Sequence, residues 1–110
     1  VYDLITRYHI GGVVLLDANN NIVGPENTLQ STQRLIIQLQ QDAWTASTQQ
    51  NFDPYTEQNY TPQYIPLFVA TAQEGDGAPY SQILYGLTPL PNQMALGATW
   101  DPGLAEQTGA

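Results

Sequence analysis

Two short apolar runs with a helical stripe between them constrain this chain more than any other feature. Val13-Val14-Leu15-Leu16 is continuous and begins with β-branched residues, and Ile65-Pro66-Leu67-Phe68-Val69-Ala70-Thr71 is a second such run. Neither shows the polar alternation of a strand with one wet face, so each predicts a strand covered on both faces, as in parallel sheets. Pro66 is tolerated because it lies near the start of its run. Between the runs, Thr32, Leu35, Ile36, Leu39, Ala43 and Ala46 fall on one stripe of a helix over about residues 28–48, with Gln33, Gln38, Gln41 and Asp42 elsewhere. Strands alternating with helices make right-handed βαβ units with a parallel sheet, so the fold class is α/β.

The flanking segments fit that frame. Val1, Leu4, Ile5 and Tyr8 have helical spacing, and Gly11-Gly12 end that helix. Residues 17–27, DANNNIVGPEN, are turn chemistry, after which Thr28 or Ser31 can cap the long helix. Residues 52–64 carry two prolines and no period, which predicts a loop that Tyr55, Tyr60 and Tyr64 pack down. A second loop follows Thr71 and runs to about residue 90. Pro91 to Leu96 can form a helical turn, and Asp101 caps a last helix with Pro102 at its first position. Two strands do not complete a sheet, and a parallel pair keeps open edges. The pattern therefore reads as a slice of a larger α/β protein, and its uncovered apolar surface predicts self-association.

Composition narrows the partners. The 110 residues permit one domain, and a hydrophobic share of 42% is that of a globular chain. Ten acids stand against Arg7 and Arg34, with no lysine, for a formal net charge of -8. Phosphate binding needs clustered Lys and Arg, so nucleic acid is excluded as a partner. Cysteine is absent, which excludes disulfides and thiolate metal sites, and no cofactor is implied. No apolar stretch reaches the roughly 18 residues of a membrane span. The lysine-free, amide-rich surface leans towards a secreted or cell-envelope protein.

Three blocks then carry a resemblance: YHIGGVVLL at 8–16, PLFVATAQEG at 66–75 and LTPLPNQMALGATWDPGLA at 87–105. In order and spacing they resemble the N-terminal domain of glycoside hydrolase family three, in its bacterial β-N-acetylhexosaminidase-like branch. The resemblance implies a partial (β/α)8 TIM-type barrel, with residues 1–110 a fragment supplying about two parallel strands and their flanking helices. Barrel enzymes place their chemistry on loops at the C-terminal ends of the strands, so the loop after Thr71 would face a sugar pocket. Family enzymes are retaining glycosidases acting on β-linked sugars such as N-acetylglucosaminides, which needs two carboxyl-type groups flanking the bond. The resemblance places the nucleophile, the acid/base and a lysine-histidine substrate clamp outside these residues, so no catalytic residue is expected in this chain.

Where the family has a sugar-binding Asp before Q-E-G, this sequence has Ala72, which accepts no hydrogen bond from its side chain. Glu74 and Asp76 are then the substrate-binding candidates, and many relatives carry a second Gly where Asp76 stands. The alternative is a non-catalytic carbohydrate-binding or scaffold domain on a degenerate barrel. As a self-contained catalytic pair, Glu74 and Asp76 would lie roughly 7 Å apart on one face of a strand, which suits neither glycosidase geometry. The main expectation is that Glu74 accepts backbone N–H groups of its own turn, and direct sugar contact by Asp76 is the alternative. His9 reads as a structural histidine, lacking the clustered ligands of a metal site. Asp17 with Asn19-Asn20-Asn21 reads as a turn, because the spacing does not match a calcium loop. Asn59-Tyr60-Thr61 matches the glycosylation pattern but is followed by Pro62. Trp44 and Trp100 could stack on sugar rings, and both read as packing residues.

Overall fold

The structure, a computed structural model, describes residues 1–110 and mixes helices with two small sheets. Its elements run α1 (Tyr2–Tyr8), β1 (Gly12–Val14), a 3-10 turn (Asp17–Asn19), α2 (Thr28–Thr48), β2 (Asn51–Asp53), β3 (Gln58–Tyr60), β4 (Phe68–Ala70), α3 (Gln93–Ala98) and α4 (Pro102–Gly109). The chain divides into two compact units. One contains Val1–Val14 with Thr32–Ala70, and the other Leu15–Ser31 with Thr71–Ala110. No helix is long and apolar enough to cross a membrane.

In the first unit, β1 and β4 pair in parallel, with Gly12 opposite Phe68, Val13 opposite Val69 and Val14 opposite Ala70. Close approach explains Gly12: a Cβ there would meet the Phe68 carbonyl oxygen at 2.8 Å. The strands are shorter than the apolar runs suggest, and they are not covered on both faces. Phe68 is 74% exposed and Val14 is exposed as well, because the pair has no third strand and no second layer over that face. Leu67, just before β4, is buried.

The α2 stripe forms as its period requires. Thr32, Leu39 and Ala46 are buried, and Leu35, Ile36 and Ala43 are half-buried. Each fully buried side chain of the Leu39 kind contributes about 1.5–3 kcal/mol relative to exposure. Capping differs from expectation. The Thr28 hydroxyl donates to the Pro25 carbonyl, and the Ser31 hydroxyl donates to the Thr28 and Val23 carbonyls, so neither accepts a helix N–H. Gln40, on α2, closes a double hydrogen bond with one backbone residue: its Nε2 donates to the Leu67 carbonyl at 2.7 Å, and its Oε1 accepts from the Leu67 N–H at 3.0 Å. The side-chain amide thereby occupies the place that a neighbouring strand would take.

The segment expected as a structureless loop over residues 52–64 contains a hairpin. β2 and β3 pair antiparallel, with Asn51 opposite Tyr60 and Asp53 opposite Gln58. Asp53 organises the turn, accepting from the Tyr55 N–H at 2.9 Å and from the Thr56 hydroxyl at 2.8 Å. Tyr55 does not pack this segment down, since at a loop tip it projects almost wholly into solvent. Tyr64 does pack, edge-on against Trp44 with ring centroids 5.0 Å apart. His9 ends α1 in the left-handed conformation, and its Nε2 lies 3.3 Å from Asn51 Nδ2.

Candidate functional site

The second unit holds a cavity of about 710 Å³ whose wall includes residues 73–77, Ser81, Leu87, Leu90 and Leu96. In sequence, residues 73–77 follow closely on β4. Thr71 anchors the start of the path by donating its hydroxyl to the Leu15 carbonyl at 3.1 Å. Gln73 then repeats the device seen at Gln40: its amide donates to the Ile83 carbonyl at 3.0 Å and accepts from the Ile83 N–H at 3.1 Å. Backbone bonds continue the ladder, from Gln82 N–H to the Ala72 carbonyl at 3.0 Å and from Glu74 N–H to the Tyr80 carbonyl at 3.2 Å.

The chain then turns sharply. Gly75, Asp76 and Gly77 all have positive φ, at 93°, 57° and 71°. Glycine answers this at two of the positions, and at Gly75 the space is closed too, because a Cβ would come within 2.7 Å of the Pro91 carbonyl oxygen. Asp belongs to the few residues that accept the left-handed region at modest cost. Ser81, buried at the base of the turn, holds Gly75 at both ends: its hydroxyl accepts from the Gly75 N–H at 3.1 Å and donates to the Gly75 carbonyl at 3.3 Å.

The two acids of this segment differ, and the expectation that Glu74 accepts the turn's N–H groups is not met. Asp76 is the structural acceptor. Its Oδ1 takes the Asn92 N–H at 3.0 Å, and its Oδ2 takes the Asn92 side-chain amide. Asn92 in turn caps α3, its Oδ1 accepting from the Ala95 N–H at 2.7 Å. Glu74, also in the cavity wall, makes none of the turn's side-chain hydrogen bonds. The left-handed backbone between them also removes the extended geometry that would set both acids on one strand face. Ala72 lies outside the cavity lining, with its carbonyl bonded to Gln82.

The remaining sequence candidates fall elsewhere. Asp17 and Asn19 form a 3-10 turn closed by Asn20 in the left-handed conformation, and Asn21 Oδ1 accepts from the Leu16 N–H at 3.2 Å. Asn59 lies in β3. Asp101 caps α4 as its sequence predicts, accepting from Gly103 and Leu104 N–H groups at 2.9 and 3.3 Å, with Pro102 in the first turn. Trp100 is not core. It is 92% exposed, because its left-handed backbone at the α3–α4 junction turns the side chain outward. No three His, Asp or Glu side chains converge to hold a metal.

Sequence reading missed Ser81 and Asn92, which shape the site as much as the acids do. Asn92 had a signal, being an N-cap residue just ahead of the Met94-Ala95-Leu96 run. Ser81 had none, since its role depends on a return of the chain that no local pattern encodes. Set against known proteins, the chain matches no family model, no curated protein and no solved structure.

Proposed function

We propose that the chain is a wedge of a family-three glycoside hydrolase barrel, the part that lines a sugar pocket in a retaining enzyme acting on β-linked sugars such as N-acetylglucosaminides. The observation that carries this reading is the placement of Gln73–Gly77: the segment follows a parallel strand in sequence and forms part of the wall of a cavity of about 710 Å³. Barrel enzymes bind substrate at such strand ends, which is where the sequence blocks PLFVATAQEG and LTPLPNQMALGATWDPGLA place the corresponding loop. Within this wall Glu74 accepts sugar hydroxyls in place of the family Asp that Ala72 replaces. Asp76 positions the loop through Asn92. The bond-breaking carboxylates are not among these residues.

Two measurements test the proposal. The purified chain is expected to leave a nitrophenyl β-N-acetylglucosaminide unhydrolysed and to bind N-acetylglucosamine, with shifts centred on the Glu74 and Gly75 amides. Glu74→Ala abolishes that binding while the fold persists. Hydrolysis by the chain alone would refute the assignment of catalysis to other residues, and absence of any sugar binding would refute the pocket.

Ala72 favours a second reading. A barrel that has exchanged its hydroxyl-binding Asp for Ala can serve as a non-catalytic carbohydrate-binding or scaffold domain. Ala72→Asp separates the two: a degenerate site gains no affinity from the restored carboxylate, and a working pocket gains it.

A further inference from the structure

A second cavity, of about 470 Å³, adjoins the first and has Trp100 in its wall. The two cavities share Gln93 and Leu96, so α3 forms a common border between them. Trp100 carries two costs at once. Its indole is 92% exposed, forgoing the burial that a large aromatic ring normally gains. Its backbone has a φ of 55°, a region that bulky residues enter only when neighbours impose it. The neighbours are identifiable. The Trp100 N–H is held by the Gly97 carbonyl at 3.2 Å, and the next N–H, that of Asp101, by the Thr99 hydroxyl at 3.3 Å. The end of α3 thus holds the Trp100 backbone in this conformation, with the ring exposed in the cavity wall.

The rest of the wall defines what the ring can meet. Leu96, Pro102 and Ala105 are apolar, and the polar side chains are Gln93 and Asp101. Asp101 Oδ1 is engaged by the two α4 N–H groups, which leaves Oδ2 to accept from outside. No Lys or Arg lines the cavity, so an anion finds no counter-charge there. An exposed aromatic face with one amide and one carboxylate oxygen at its edge fits a ring that has an apolar face and hydroxyls around its rim, which is a pyranose.

We infer that Trp100 is the platform of a second sugar subsite, so that the ligand is an oligosaccharide with one ring in the Glu74 cavity and the next across Gln93 and Leu96 on the indole. This deepens the sugar-pocket proposal and rests on it. The test titrates the chain with N-acetylglucosamine and with its β-1,4-linked dimer and tetramer, followed by tryptophan fluorescence and amide shifts. The tetramer is expected to bind about tenfold more tightly than the monosaccharide, the size of one good aromatic contact. Trp100→Ala erases that gain and leaves monosaccharide affinity unchanged. Trp100→Asn does the same while suiting the left-handed backbone, which guards against a folding artefact. Tyr55→Ala, equally exposed but in the other unit, changes neither affinity. Monosaccharide binding with no gain from chain length, or a gain that survives Trp100→Asn, overturns the second subsite and leaves the sugar pocket standing. No binding of any of the three sugars overturns both.

Discussion

Asp76 and Asn92, sixteen residues apart in sequence, are joined by two hydrogen bonds, one to the Asn92 backbone N–H and one to its side-chain amide. Asn92 is at the same time the cap of α3, so one side chain couples the left-handed turn of the cavity wall to the start of a helix.

Asn92→Ala is expected to be the costlier change of this pair. It loses the cap, worth about 0.5–2 kcal/mol, together with one of the two bonds to Asp76. Asp76→Gly, which suits the left-handed backbone at that position, leaves the cap intact and costs less. Because the two residues share an interaction, the double variant is less destabilised than the sum of the singles, a coupling that denaturant unfolding of all four proteins measures directly. Additive losses would show that the contact contributes nothing.

Gln40→Ala removes both partners of the Leu67 peptide groups and leaves a half-buried N–H and carbonyl unmatched. A loss of about 1–3 kcal/mol is expected. Gln40→Glu keeps an acceptor for the Leu67 N–H but sets a carboxylate oxygen against the Leu67 carbonyl, so it recovers only part of the loss. Hydrogen exchange at the Leu67 amide follows both: it accelerates strongly in the alanine variant and moderately in the glutamate variant.

Thr32→Val tests the opposite case. The Thr32 hydroxyl is buried without a hydrogen-bond partner. Replacing it by a methyl group of the same shape removes the desolvation cost and is expected to stabilise the chain by about 1 kcal/mol, read as a rise in the unfolding midpoint. A fall in the midpoint would mean that the hydroxyl is satisfied in solution.

Asp53 gives the hairpin a pH dependence. The Tyr55 N–H and the Thr56 hydroxyl both donate to its carboxylate and hold its pKa below the ordinary aspartate value. A depressed folded-state pKa means that the charged form supports the turn. Its contribution is therefore present above the unfolded pKa of about 3.9 and is lost as pH falls through the lower folded value. Amide exchange at Tyr55 in an acid titration follows that loss, and Asp53→Asn, which keeps an acceptor but no charge, flattens the profile.

Local pattern carried the reading where a single element suffices to define a residue's place. The α2 stripe from Thr32 to Ala46 is set by a period, and the Asp101-Pro102 start of α4 by chemistry within one turn. The parallel pairing of β1 with β4 followed from the order of elements, although the burial of its faces did not, because that depends on what else lies against Val14 and Phe68. The β2–β3 hairpin was not legible: Asn51-Phe52-Asp53 and Gln58-Asn59-Tyr60 are too short and too polar to show alternation, and it is the Asp53 turn that brings them together. In the site, the glycines forecast a sharp turn, but the hydrogen bonding of Asp76 turned on where Asn92 arrives from. Trp100 was misplaced for a similar reason, since an indole before a capped helix packs inward unless its own backbone is left-handed.

Gln40, Gln73 and Gln82 together fasten four backbone positions, at Leu67, Ile83, Asp17 and Pro79, with neutral amide groups. Fastenings of this kind do not weaken when mobile ions surround them, so the architecture tolerates brine and dilute buffer alike. Acids other than Asp53, Asp76 and Asp101, which are tied to backbone groups, are thereby left free to keep neighbouring molecules apart.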